Sequence, residues 1–356
     1  MKRFRLLPLA ALLVAIVTAG VPAPARPPPT SPAPGAVYVA LGDSLTAGFQ
    51  SGGLGPQAQR DAYPAVIARL AGIPFGLALG QSPGCPPPLG QPLQAGRSCV
   101  RAVPGVQNNN LAVPGARVAD LLGRTAQNAP DDLTRRMYTL ILGPRLTQVA
   151  AARKSRPQFV TVWVGANDVQ EAVSSGDPAR VTPPAQFLSA YRAVLEALRP
   201  TGARVVLLTV PDVTAAPLLV AGPLIFRYGY GAPSCRTSAN RVDIRLLLTQ
   251  RSVDCSAPAA VTPAEAGRIR DTLRQYNAGL TRLAAETGAL VFDVAGVMAS
   301  LARPAPDPLR AEQPFGPDFS LDGLHLSSRG QLKLARALLA AGNAQLHFRI
   351  PLEGGG

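Results

Sequence analysis

The stretch VYVALGDSLTAGFQ, residues 37–50, decides the fold. Residues 37–41 form a short apolar run with Val at alternate positions, the composition of a strand buried on both faces. Gly42, Asp43, Ser44 and Leu45 follow with no spacer. A strand that ends directly in a small polar turn is how an open α/β sheet presents side chains, because ligands bind beyond the carboxyl ends of such strands.

The same arrangement recurs along the chain. PQFVTVWVGAND (157–168), ARVVLLTVPD (203–212) and ALVFDV (289–294) read as further buried strands. QNNNLAVPG (107–115) reads as a short strand ending in a turn. Helical spacing appears at 62–70, from 118, over 135–153, over 185–198, over 263–287 and over 328–341. The 263–287 helix has its start written out, with Thr262 as N-cap, Pro263 at the first position and Glu265 at the third. Apolar strands alternating with helices imply an α/β fold with a mostly parallel sheet covered on both faces. Ser44, the residues after Gly165, and Asp212 would then converge on one rim.

The chain has 356 residues, 47% of them hydrophobic, and a formal net charge of +14. Residues 1–25 read as a signal peptide: Lys2, Arg3 and Arg5 precede an apolar stretch at 6–17 that is short for a membrane span. Residues 26–35, RPPPTSPAPG, read as a Pro-rich linker. Residues 36–350 are expected to form one domain, with loop insertions at about 80–106 and 213–261. The mature protein is expected to be secreted or extracytoplasmic, monomeric and without a stable transmembrane span. The positive charge comes from 32 Arg and 3 Lys scattered along an Ala-, Pro- and Gly-rich chain. With only 5% aromatic residues to stack on bases, nucleic-acid binding is not expected.

Four cysteines in an exported chain imply two disulfides. Three connectivities are possible. The local pairs, Cys85 with Cys99 and Cys235 with Cys255, are favoured because each encloses a loop-like segment. No Cys-x-x-Cys occurs and there are only two His, so no metal site is expected.

Ser44 alone would be a common turn residue. As a nucleophile it needs a base, a group to orient that base, and an oxyanion hole. His347 lies between apolar residues and reads as a packed or surface side chain. His325, in SLDGLHLSSRG, lies on a loop three residues after Asp322, a spacing that lets the carboxylate hold one ring nitrogen. Asn167, in VGAND, has an amide that can donate. Gly115, in AVPGAR, lets its backbone approach a ligand. The N–H of Ser44 would be a third donor.

GDSL (42–45), NLAVPGA (110–116), GAND (165–168) and DGLH (322–325) occur in that order across most of the mature chain. Together they resemble the GDSL, or SGNH, hydrolase family, which includes secreted esterases and lipases. The family's four marker residues match Ser44, Gly115, Asn167 and His325. The resemblance implies a three-layer α/β/α sandwich with a parallel sheet of about five strands in flavodoxin-like order. It implies Ser44 as nucleophile, His325 as general base and Asp322 as third triad member. Ser44 N–H, Gly115 N–H and the Asn167 side chain would form the oxyanion hole, with Asp43 and Asp168 supporting their turns. The α/β-hydrolase elbow, Gly-x-Ser-x-Gly, does not fit, since GDSLTAG has no Gly two residues after Ser44.

The function expected is ester hydrolysis through an acyl-enzyme, on a small-molecule or lipid ester, with no cofactor. The apolar run at 216–226 favours an acyl chain. The alternatives are a carbohydrate O-acetyl esterase and, on the same fold, a non-catalytic binding module. Trp163, inside a strand, reads as core rather than a sugar platform.

Overall fold

A computed structural model describes residues 37–91 and 99–346. The signal peptide and linker expected at 1–35 lie outside these residues, as does His347. The described strands are β1 (Tyr38–Gly42), β2 (Phe159–Trp163), β3 (Arg204–Leu208), β4 (Leu219–Ala221), β5 (Arg241–Asp243) and β6 (Leu290–Phe292). The main sheet runs β1-β2-β3-β6, all parallel, with Val39 opposite Val160 and Leu41 opposite Val162.

On the other side of β1 stands the 107–115 segment. It was expected as a strand but makes one parallel bridge, Asn110 with Ala40. The reason lies in its three consecutive asparagines. One of their side chains takes a β1 carbonyl, Asn109 Nδ2 donating to Tyr38 O at 2.8 Å, while Asn110 Nδ2 donates to Thr46 O, beyond β1, at 2.8 Å. Around the bridge the backbone still pairs, Ala40 N–H with Asn109 O and Leu111 N–H with Ala40 O. Counting this bridge as a reduced second strand gives the flavodoxin-like order 2-1-3-4-5.

Side-chain alternation on the strands builds the three layers. Val39, Leu41, Val160, Val162 and Leu207 belong to the core under helices Asp132–Leu142, Gln148–Ser155, Pro184–Leu198 and Pro263–Thr287. Trp163 and Leu208 face the opposite layer with Tyr63, Val66, Met298 and Leu334, from helices Tyr63–Ala71, Val294–Ser300 and Ser328–Leu346. Each fully buried large apolar side chain contributes about 1.5–3 kcal/mol. Trp163 is 1% exposed, and its indole donates to Thr209 O at 3.2 Å, so it is core.

The helical pattern expected over 135–153 is two helices, Asp132–Leu142 and Gln148–Ser155. Gly143 caps the first and Pro144 cannot extend it. The 263–287 helix has the capping box expected of it: Glu265 N–H donates to Thr262 Oγ1, and Thr262 N–H donates to Glu265 Oε2. No helix among the described residues is long and apolar enough to cross a membrane.

Candidate active site

β1 ends at Gly42, where a Cβ would fall 2.2 Å from Trp163 O and 2.4 Å from Thr46 Oγ1. Only glycine lets the chain turn so tightly against β2. A four-residue helix, Ser44–Ala47, starts immediately, capped by Asp43, whose Oδ1 accepts the Leu45 N–H at 2.9 Å. Two buried glutamines fix this turn. Gln148 accepts from Gly42 N–H and donates to Gly42 O, both at 2.9 Å. Gln331 accepts from Tyr63 N–H at 2.9 Å and donates to Leu45 O at 3.0 Å.

His325 Nε2 lies 2.9 Å from Ser44 Oγ, across 281 residues of sequence. Its Nδ1 lies 2.9 Å from Asp322 Oδ2. Asp322 is buried and accepts hydrogen bonds from five donors. At Oδ1 these are Ser320 Oγ (3.1 Å), Leu324 N–H (2.9 Å) and His325 N–H (2.9 Å). At Oδ2 they are Gly52 N–H (2.8 Å) and the His325 ring. Burial alone would raise the Asp322 carboxyl. The charge of His325, its ring hydrogen bond and the backbone N–H groups outweigh that and hold it well below the usual carboxylate range. The loop after Ser44 is tied to the same turn, with Ser51 N–H donating to Ser320 Oγ at 2.9 Å. Phe49 packs on the imidazole with ring centroids 5.0 Å apart. An imidazole held this way can accept the serine proton and keep its own orientation.

Asn167 opens helix Asn167–Ser175 at the end of β2, and its Nδ2 donates to Ala116 O at 3.0 Å. Its other amide hydrogen remains available. Asp168 Oδ2 accepts from Val118 N–H at 3.1 Å, so the GAND turn holds both sides of the 115–118 loop. Gly115 has φ of +82°, a conformation that favours glycine, while a Cβ there would meet nothing within 4 Å. Backbone conformation, rather than crowding, is what requires glycine in this structure. Among the described residues no acceptor meets the N–H of Ser44 or of Gly115.

Burial pushes the Asp43 carboxyl from its ordinary 3.8 up to about 7, against the pull of Leu45 N–H and the His325 charge. Burial likewise raises Asp168 to about 6. Between the unfolded and folded values the native protein holds protons that the unfolded chain has lost. Stability therefore falls as pH rises from about 4 to about 7. Asp43→Asn keeps the capping oxygen without the charge. It is expected to flatten part of that slope and to gain at most about 4 kcal/mol over wild type at pH 8. Urea midpoints at pH 5 and pH 8 test this; parallel slopes for the two proteins would sink it.

Two cavities meet at His325. A pocket of about 30 Å³ is bordered by Ser44, Asn167, Asp212, Arg303 and His325. A larger, mostly apolar cavity of about 510 Å³ is bordered by Phe49, Val220, Ile225, Ile244, Phe315 and His325. Leu89, Tyr228, Tyr230 and Leu248 also line it and stand exposed. Its wall comes largely from two segments, the 213–261 excursion and residues 306–325. In the excursion β4 and β5 pair antiparallel over a small core of Val220, Ile225, Val242 and Val253. The Cys235–Cys255 disulfide joins that core, and Cys85–Cys99 staples the 80–106 loop, where residues 92–98 lie outside the described set. Replacing Cys235 and Cys255 together by Ala should cost about 3 kcal/mol and lower activity on long-chain esters more than on acetyl esters. Equal losses on both would separate the excursion from substrate binding.

Sequence reasoning did not find Gln148, Gln331, Gly52 or Phe49. A lone glutamine, glycine or phenylalanine carries no spacing signal.

A family model described as GDSL-like Lipase/Acylhydrolase matches residues 38–338. No curated protein matches the chain. Among solved structures, an extracellular lipase from Streptomyces rimosus is similar over 86% of this chain and 99% of its own, at 16% identity and a TM-score of 0.43. A catalytic mutant of an acetylxylan esterase from Geobacillus stearothermophilus is similar over 91% and 99%, at 16% identity and 0.41. A psychrotrophic esterase from a Pseudoalteromonas species is similar over 87% and 98%, at 12% identity and 0.39. These are distant likenesses, and what those enzymes act on belongs to them.

Proposed function

The chain belongs to the GDSL-like lipase/acylhydrolase family and is a carboxylic ester hydrolase; from that premise we propose that it is an exported serine esterase or lipase working through Ser44, His325 and Asp322. The observation that carries this reading is the 2.9 Å contact between Ser44 Oγ and His325 Nε2, with Asp322 on the far ring nitrogen.

In this mechanism Ser44 Oγ attacks the ester carbonyl while His325 Nε2 takes its proton. The oxyanion forms among Ser44 N–H, Gly115 N–H and the free amide hydrogen of Asn167. Such donors are worth about 3 kcal/mol each at the transition state. His325 returns the proton to the departing alcohol. It then deprotonates the water that releases the acid from Ser44. Asp322 stays ionised and stabilises the imidazolium.

The cavity of about 510 Å³ beside His325 supports an apolar acyl chain as its occupant. The pocket at Ser44, of about 30 Å³ and much the smaller of the two, favours a second reading as a carbohydrate O-acetyl esterase. Export is supported by the charged and apolar leader at 1–25 and by two disulfides. Residues 36–350 are read as one catalytic domain.

Hydrolysis of p-nitrophenyl esters from acetyl to palmitoyl, with fluorophosphonate labelling of Ser44, tests the proposal. Rates rising with chain length favour the lipase, and a preference for acetyl favours the O-acetyl esterase. No labelling and no hydrolysis of any ester would leave a binding module.

A further inference from the structure

Eight large hydrophobic or tyrosine side chains stand exposed among the described residues. Four of them, Leu89, Tyr228, Tyr230 and Leu248, line the apolar cavity beside His325, so they stand at its opening. A fifth, Leu309, is 90% exposed and directly follows Pro308, which also lines the cavity. The loop that carries Leu309 is closed on itself: Asp307 N–H donates to Pro314 O, and Leu309 N–H to Asp307 Oδ1 at 3.0 Å. The base of that loop is cavity wall, and its tip stands in water. Exposed apolar side chains scattered singly need no explanation, but five drawn from three parts of the chain to one opening do.

Two features say what covers them. The first is continuity with the cavity. An acyl chain that left a lipid aggregate for the cavity through water would wet every methylene on the way. A rim of leucine and tyrosine pressed onto the aggregate lets the chain pass from one apolar medium to another. Tyrosine suits such a rim, since its ring sits at the edge of an apolar layer while its hydroxyl stays wet. The second feature is charge. Residues 227–254 carry five exposed arginines, at 227, 236, 241, 245 and 251, against Asp243 and Asp254. Asp243 is taken by Arg245, and Asp254 by the hydroxyls of Ser234 and Ser256. Arg227, Arg236 and Arg251 form no ion pair among the described residues. Arg227 directly precedes Tyr228, and Arg251 follows Leu248 by three residues. A second copy of this chain seated on the rim would bring like charges together. An anionic lipid surface complements them.

We propose that this rim docks the protein on an anionic lipid surface and feeds acyl chains from that surface into the cavity. The inference rests on the reading of the cavity as the acyl site.

The test is sedimentation with vesicles of phosphatidylcholine, with and without phosphatidylglycerol. It uses Ser44→Ala as the parent, so that no ester is consumed. The parent should bind the phosphatidylglycerol vesicles and bind phosphatidylcholine alone more weakly. Adding Leu248→Ser and Leu309→Ser should lower the partition by about tenfold on both. Adding Arg227→Gln and Arg251→Gln instead should lower it by about tenfold or more on the anionic vesicles only. All four side chains are exposed, so Tm should not move. A parent that binds neither vesicle, or a leucine variant that binds as the parent does, overturns the proposal. Equal binding to both vesicles overturns the choice of an anionic surface. A dimer in solution that the leucine substitutions dissociate would show a second copy on the rim, which is also fatal. Leu309→Ser in the active enzyme adds a kinetic arm, because Leu309 does not line the cavity. It should keep the rate on dissolved p-nitrophenyl acetate and lose rate on a long-chain ester carried in anionic vesicles; equal losses on both would sink the docking role. Vesicle binding without hydrolysis of any long-chain ester would leave the docking intact and remove the acyl reading of the cavity.

Discussion

Replacing Ser44 by Ala is expected to lower ester hydrolysis by about a millionfold, the scale on which loss of a serine nucleophile removes the covalent route. A residue of activity should survive, because Ala keeps the backbone N–H at position 44 and leaves Gly115 and Asn167 in place. The fold should hardly respond. The one hydrogen bond of Ser44 Oγ is to His325, so its loss costs about 1 kcal/mol. Gln148 and Gln331 grip the turn through its backbone and keep their partners in the variant. The signature is thus a collapse of kcat with an unchanged unfolding midpoint. Activity within tenfold of wild type would end the nucleophile assignment.

Asp322→Asn carries the second large effect, about ten-thousandfold in kcat. Three donors converge on Oδ1, so the amide oxygen must sit there. The amide NH2 then faces Gly52 N–H and His325 Nδ1. Facing a donor, Nδ1 must become the acceptor and the ring proton moves to Nε2. The imidazole would then offer Ser44 a proton when it needs to accept one. The N–H of Gly52, left opposite another donor, adds about 1–3 kcal/mol of destabilisation. Because the folded Asp322 carboxyl lies below its unfolded value of about 3.9, its stabilisation of wild type is present above that pH and lost as pH falls through the folded value. Wild type should therefore lose on acidification an increment of stability that the Asn variant lacks throughout. Matching acid-unfolding curves, or kcat within tenfold, would count against the assignment.

Much of the fold was legible because burial on both faces leaves a dense signal. Residues 38–41, 160–163 and 207–208 are buried, and all but Thr161 are apolar or aromatic. The Thr262-Pro263-Glu265 start was legible because each residue there has a local task. The break at Gly143-Pro144 was also written in the chain, but helical spacing on either side of it masks the interruption. The 107–115 segment pairs with β1 only around Asn110, because the Asn109 side chain takes the Tyr38 carbonyl. At the site, Ser44, Asp322, His325 and Asn167 announce themselves by chemistry. The groups that set their geometry do not. Gln148 lies 106 residues from the backbone it grips, and Gly52 reaches Asp322 across 270. Such partners follow from the completed packing, so no window of sequence contains them.

The tie between the 49–53 loop and the 320–325 turn has a consequence for the chain during its synthesis. Ser44 is made early and His325 late, and neither can bring the other into position until both have joined the sheet. A partly translated or partly exported chain therefore carries a hydroxyl with no base. Contacts between positions so far apart form slowly during folding, so ester cleavage should be among the last properties the protein acquires. On the proposed triad, activity is expected only once the 320–325 turn has docked against the 49–53 loop.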